Sequence, residues 1–164
     1  TTQFLVSTYG LTQTDTNYTF AWVPPVFAAV GGLFGGWLTM RWSRNQNVVA
    51  VRLKVILLGS LLLLPVGALP WAPTPAAATA VISISYFFCL VGSVNIYSLP
   101  LDLFGPARAA FAVSGLTAVY GLLQFGLSPV IGWVADHHGF GPVCLGVALL
   151  PLAGYGVLRW ALIR

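Results

Sequence analysis

Charged side chains are scarce in this sequence: seven Lys or Arg and three Asp or Glu make up 6% of its 164 residues. Soluble domains carry about 25% charged residues, so this scarcity excludes a soluble globular fold. The few basic residues are scattered along the chain, which excludes a nucleic-acid-binding module despite the net charge of +4. With 58% hydrophobic residues, the composition is that of a chain dissolved in lipid.

Cysteine and catalytic motifs are also scarce. Cys89 and Cys144 lack a CxxC or Cys/His neighbourhood, so we expect no structural disulfide and no metal site. His137 and His138 are adjacent and are predicted to be solvated in a short external loop. No motif of a hydrolase, metalloprotease or P-loop protein occurs, so we expect neither an enzyme nor a cofactor. The chain opens at Thr1 within an apolar stretch, which we interpret as the start of a fragment.

Uncharged runs of about 20 residues are long enough to cross the hydrocarbon core of a bilayer. Such runs predict an all-α polytopic membrane protein with five complete transmembrane helices and the end of a sixth. Three prolines at 70–75 divide the longest run into two helices. The predicted spans, within a single helix-bundle domain 1–164, are 21–40, 49–69, 76–98, 110–135 and 140–159, with 1–10 as the end of a truncated helix.

The charges divide cleanly between the two sides that these spans define. One side carries every basic residue, namely Arg41, Arg44, Arg52, Lys54, Arg108, Arg159 and Arg164. The opposite side carries Asp15, Asp136 and the two histidines. The positive-inside rule therefore predicts a multi-pass protein of the cell (inner) membrane with a cytoplasmic carboxyl terminus.

Glycine is concentrated in the first span, where Gly31 and Gly35 form one small-xxx-small pair and Gly32 and Gly36 form a second. Helices that present such pairs approach each other closely in lipid. We interpret the motif as helix packing rather than chemistry.

A polar stripe follows the span 110–135, on the single helix face formed by Ser114, Thr117, Gly121, Gln124 and Ser128. Such a stripe is costly against lipid, so we expect it to face the bundle interior or water. Gln124 either lines a cavity or bonds a neighbouring helix, and the hydroxyls either line a cavity or bond their own helix. Asn95 has two possible roles: it forms a helix-capping or interhelical hydrogen bond, or it contacts a ligand. The candidate substrate pathway is Gln124, Thr117, Ser114, Tyr120 and Asn95.

Three motifs resemble a known family. The first motif is Val23-Pro24-Pro25 followed by Gly35-Gly36-Trp37-Leu38-Thr39-Met40-Arg41. The second is Asn95-Ile96-Tyr97-Ser98-Leu99-Pro100-Leu101-Asp102-Leu103-Phe104. The third is Gly126-Leu127-Ser128-Pro129-Val130-Ile131-Gly132-Trp133. They resemble the eighth, tenth and eleventh helices of major facilitator transporters of the anion:cation symporter group, which includes the hexuronate transporters. Arg52 and Lys54 lie where that family carries a basic pair, and Arg41 and Arg44 lie in its cytoplasmic loop motif.

The resemblance implies the carboxyl-terminal six-helix half of a transporter, with an amino-terminal half missing. It implies proton-coupled symport of an organic anion such as a hexuronate or other sugar acid, by rocking of the two halves about a central site. The sequence departs from the family at Met40, where the loop motif has an acidic residue, and at 114–118, where related sugar-acid transporters have an asparagine. The alternatives are another permease of the superfamily, such as a drug exporter, and a non-transporting membrane subunit or remnant. The expected surroundings are the lipid bilayer, a small organic anion and H+.

Overall fold

The computed structural model describes residues 2–163, so Thr1 and Arg164 lie outside the described residues. The described chain is all-helical and consists of seven α-helices and two 3₁₀ segments. The helices are α1 (Thr2–Tyr9), α2 (Gln13–Thr19), α3 (Val23–Trp42), α4 (Val48–Leu62), α5 (Pro75–Phe104), α6 (Pro106–His138) and α7 (Phe140–Ile163). The 3₁₀ segments are Ser43–Asn45 and Leu64–Trp71.

Five stretches of the described chain are long and apolar enough to cross a membrane, as the sequence predicts for a polytopic membrane protein. They are Gln13–Asn45, Val48–Trp71, Pro75–Phe104, Pro106–His138 and Phe140–Leu162. Each contains one of the five predicted spans. The helix α2 was not expected, because its sequence is polar. Thr12 caps it, with the Asp15 amide donating to Thr12 Oγ1 at 3.1 Å.

The connections between the last three helices are shorter than the sequence suggests. Residues 99–104, which lie beyond the predicted span 76–98, are helical, because α5 continues through Pro100 and α6 begins directly after Gly105. Gly105 and Gly139 have φ values of 72° and 74°, a left-handed conformation that favours glycine. A single glycine therefore makes each turn, and His137 and His138, both predicted to lie in a loop, are in the last turn of α6.

Helices α3 and α5 make the closest contact of the bundle. A Cβ added to Gly31 would lie 2.3 Å from the Phe87 carbonyl oxygen, and one added to Gly35 would lie 2.8 Å from the Val91 Cα. A Cβ added to Gly36 would meet nothing within 4 Å among the described residues. Of the two glycine pairs in the sequence, Gly31 and Gly35 therefore form the packing surface.

Two apolar clusters hold the bundle together, one towards each end. The first joins α1, α5, α7 and the 3₁₀ segment Leu64–Trp71, and includes Leu5, Ile82 and Ala148. The second joins α3, α4 and α5 through Leu38, Val51, Val55 and Val91. The helix α6 contributes to neither cluster, so it lies at the margin of the bundle.

Candidate functional site: a buried polar cluster and an exposed polar stripe

Asn95 lies at the centre of a polar cluster where α3, α4 and α5 meet, and it is fully buried. Its Oδ1 accepts hydrogen bonds from Thr39 Oγ1 at 2.6 Å and from Arg52 Nη1 at 3.2 Å. Its Nδ2 donates to the carbonyl oxygens of Val91 at 2.8 Å and of Gly35 at 3.4 Å. A side-chain amide has two donor hydrogens and two acceptor lone pairs, so these four contacts use its whole capacity.

Arg52 extends the cluster towards the end of α5. Its Nε forms an ion pair with Asp102 Oδ2, while its Nη1 contacts Asn95. The side chains of Arg52 and Asp102 are 14% and 19% exposed, so water screens the pair only in part. The guanidinium can bridge two acceptors because its donors point in fixed directions. Arg52 therefore ties α4 to α5 at two points.

The other basic residues of the predicted loop motif lie outside this cluster. Arg41 and Arg44 are exposed at the end of α3 and in the 3₁₀ segment that follows it. Lys54 is also exposed, and its Nζ donates to Gln46 Oε1 at 2.8 Å. Of the four basic residues singled out from the sequence, Arg52 is the one that enters the polar cluster.

The polar stripe of α6 is on the surface of the described chain. Thr117, Tyr120 and Gln124 are exposed, as are most of the residues around them on α6, and Thr117 Oγ1 donates to the Val113 carbonyl oxygen of its own helix at 2.9 Å. None of the 18 most apolar consecutive residues of α6 is buried within the described part of the chain. The stripe is therefore free to face water or another protein surface.

The predicted substrate-pathway residues consequently fall into two groups. Four of them lie on α6, namely Ser114, Thr117, Tyr120 and Gln124, whereas the described side chains that bond Asn95 come from α3 and α4. Because its amide is already saturated, Asn95 is placed to position helices rather than to take a ligand in this conformation. Its role in a substrate pathway stays a prediction.

Sequence reasoning missed the part played by Thr39 and Asp102. One signal was present, because Asp102 is the single acidic residue on the side that carries every basic residue. A lone carboxylate near the ends of helices rich in Arg is a natural ion-pair partner. The choice of Arg52 among those cations depends on helix rotation, which the sequence does not give. Within residues 2–163, no group of three His, Cys, Asp or Glu is placed to hold a metal ion.

Comparison with known proteins supports the likeness to hexuronate transporters. The chain is 29% identical over 165 aligned positions to the hexuronate transporter of Escherichia coli (strain K12), a match covering 98% of this chain and 37% of that protein. The hexuronate transporter of Escherichia coli O157:H7 matches with the same figures. No family model and no solved structure matches the chain. The chain thus spans a little over a third of the length of the curated relatives it matches, and it resembles membrane transporters rather than enzymes.

Proposed function

We propose that this chain is the carboxyl-terminal part of a secondary transporter of the major facilitator type, and that the whole protein carries a hexuronate or another sugar acid together with protons. The single observation that supports this most strongly is the similarity to a hexuronate transporter along 98% of the chain. The helical architecture is compatible with it, because five helical stretches are long and apolar enough to cross the bilayer.

In this proposal the α6 stripe lines the substrate path between two halves of the transporter. Thr117 and Gln124 lie along one face of a helix that is otherwise apolar and that packs little of its surface against the described bundle. An amide in hydrocarbon without a partner is costly, so Gln124 needs water, substrate or a polar side chain opposite it. Hydroxyl and amide groups are suited to the hydroxyls of a sugar acid. The carboxylates that would carry the coupled proton lie in the part of the transporter outside this chain.

The polar cluster around Asn95 has a different part in the proposal. Alternating access moves one helical bundle against another as largely rigid bodies. Asn95 and Arg52 join α3, α4 and α5 through side chains, so these three helices move together. The cluster would lie near the cytoplasmic side, to which the sequence assigns the basic loop 41–54.

Uptake of labelled glucuronate by cells that express the full gene product, and that lack their own uptake of hexuronates, tests the proposal. We expect uptake that a protonophore abolishes. Gln124→Ala lowers it strongly, because the stripe then lacks its only side-chain amide. Leu122→Ala, a change at an exposed position on a different face of α6, leaves most of the uptake intact.

Two results would contradict the proposal. If Gln124→Ala and Thr117→Ala both leave glucuronate uptake unchanged, the stripe does not form the path. If hydrophobic cations are exported and glucuronate is not carried, the protein is a permease of another specificity.

A further inference from the structure

A cleft of about 380 Å³ opens between α4, α5 and α7, away from the α6 stripe. Gly92 and Gly154 line the cleft and leave it open because they have no side chains. A Cβ added at either position would meet no atom of the neighbouring described helices within 4 Å. Pro151 and Leu63 join it to a second cleft of about 470 Å³ nearer the other end of the bundle. Both volumes fall in the range of about 300 to 1,000 Å³ that small-molecule sites occupy.

The surroundings of the cleft are apolar, in contrast to the polar face of α6. Ile56, Leu158 and Phe88 contribute to its lining, and Leu62 and Val157 are exposed on the same helices, α4 and α7. The hydroxyl of Ser60, also in the lining, already donates to the Ile56 carbonyl oxygen at 2.9 Å. In a bilayer such a surface meets hydrocarbon, so an acyl chain is the ligand that matches it chemically.

Positive charge lies at one end of this cleft. The lining ends at Leu158 on α7 and at Ile56 on α4. Arg159 follows the first directly and is exposed, and Lys54 precedes the second by two residues. Basic residues at the mouth of a groove between transmembrane helices bind anionic lipid headgroups on the cytoplasmic side. The positive-inside rule places this end at the cytoplasm.

We propose that this cleft binds an anionic phospholipid of the cytoplasmic leaflet, with an acyl chain along Gly92 and Gly154 and the phosphate against Arg159. The site is separate from the substrate path, and the proposal holds whether or not the protein transports a sugar acid. Long basic side chains reach the headgroup layer by snorkelling, so Arg159 can contact the phosphate while its stem covers the apolar rim.

Native mass spectrometry of the full gene product, purified from nanodiscs containing equal amounts of phosphatidylglycerol and phosphatidylcholine, tests this site. We expect retained phosphatidylglycerol to exceed phosphatidylcholine. Arg159→Gln reduces this preference about fivefold, the effect of one basic residue near an anionic surface. Gly154→Leu fills the cleft and reduces the retention of both lipids.

Two matched variants serve as controls. Arg44→Gln removes an exposed basic residue away from the cleft, and Gly156→Leu adds the same side chain two residues along α7, outside the lining. Both should retain lipid as the unmodified protein does. Because Arg159 is on the surface, Arg159→Gln still tests the site if Gly154→Leu does not fold.

Three results would overturn the proposal. The first is equal retention of the two lipids by the unmodified protein. The second is an equal loss of lipid in the control variants and the cleft variants. The third is a dimer that Gly154→Leu dissociates, since a second copy of the chain would then occupy the cleft.

Discussion

Asn95 is the side chain on which the junction of three helices depends. Its amide joins α5 to Thr39 and the Gly35 carbonyl of α3 and to Arg52 of α4. A hydrogen bond between helices in a membrane contributes about 0.6 kcal/mol on average. The three interhelical contacts together are therefore expected to contribute about 2 kcal/mol, and the loss of Asn95 would leave Thr39 and Arg52 each without one hydrogen-bond acceptor.

We predict that Asn95→Ala lowers the free energy of unfolding by about 2 kcal/mol. Titration of the purified protein with SDS, followed by helix content, measures this. Ser98→Ala is the matched control, because Ser98 on the same helix donates to the Val94 carbonyl oxygen of its own helix. We expect its stability to change by less than about 0.5 kcal/mol. Equal losses of unfolding free energy in the two variants would show that the interhelical hydrogen bonds of Asn95 stabilise the protein no more than the intrahelical bond of Ser98 does.

At the residue scale the chemistry of the polar groups is more predictable than their partners. Hydropathy marks Asn95, Gln124 and Arg52 as polar groups in apolar company, and each needs a partner or water. Which partner it finds depends on the rotation of helices that are far apart in sequence. Arg52 and Asp102 are 50 residues apart, and Asn95 and Thr39 are 56 apart. No local pattern encodes such pairings.

At the scale of the helix, the glycines of α3 set how closely it approaches α5. A Cβ at Gly31 or Gly35 would lie within 2.3 to 2.8 Å of backbone atoms of α5, which cannot move aside as a side-chain end can. The two helices must therefore separate to admit a methyl group. Separation also lengthens the contacts of Asn95 with Thr39 and Gly35, so packing and hydrogen bonding weaken together.

We predict that Gly31→Ala and Gly35→Ala each lower the free energy of unfolding by about 1–3 kcal/mol, the usual effect of overpacking. Gly36→Ala on the same helix should be neutral or stabilising, because its methyl group enters open space and alanine favours helix by up to about 1 kcal/mol. The same SDS titration compares the three variants. Equal changes in the free energy of unfolding for Gly35→Ala and Gly36→Ala would contradict this prediction. They would show that Gly35 does not stabilise the protein by allowing α3 and α5 to approach closely.

The helices themselves were predictable because hydropathy and length decide them in lipid. Their ends were less so. The predicted span ended at residue 98, yet α5 continues through Pro100 to Phe104, since tertiary contacts in a bundle can hold a helix through a proline. The short helix α2 depends on the cap formed by Thr12 and Asp15 in a polar stretch that has no hydrophobic period. At Pro100 a local signal was outweighed by contacts within the bundle, whereas the cap of α2 is a local signal that hydropathy does not detect.

At the scale of the whole molecule, the burial of the helices is uneven. The helices α3, α4 and α5 share the Asn95 cluster and the second apolar core, whereas α6 is exposed along nearly its whole length. A spanning helix with lipid on every side has no reason to carry an amide at its middle. We propose one common explanation for the exposed stripe and for the match to 37% of a longer relative, which is further protein opposite α6.

This explanation predicts that α6 has a wet face and a dry face in the full gene product. In a background with Cys89→Ala and Cys144→Ala, we expect Gln124→Cys to react rapidly with a water-soluble maleimide in intact membranes. Leu122→Cys, at a position that is 72% exposed in this chain and on a different face of α6, should react slowly, because on this proposal that face meets lipid. Thiols react as thiolates, which form in water and not in hydrocarbon, so the labelling rate distinguishes the two environments.

Excess glucuronate should slow labelling at position 124 if the stripe lines the substrate path. Equally slow labelling at both positions would mean that α6 has no water-facing side, and the stripe would then serve helix packing.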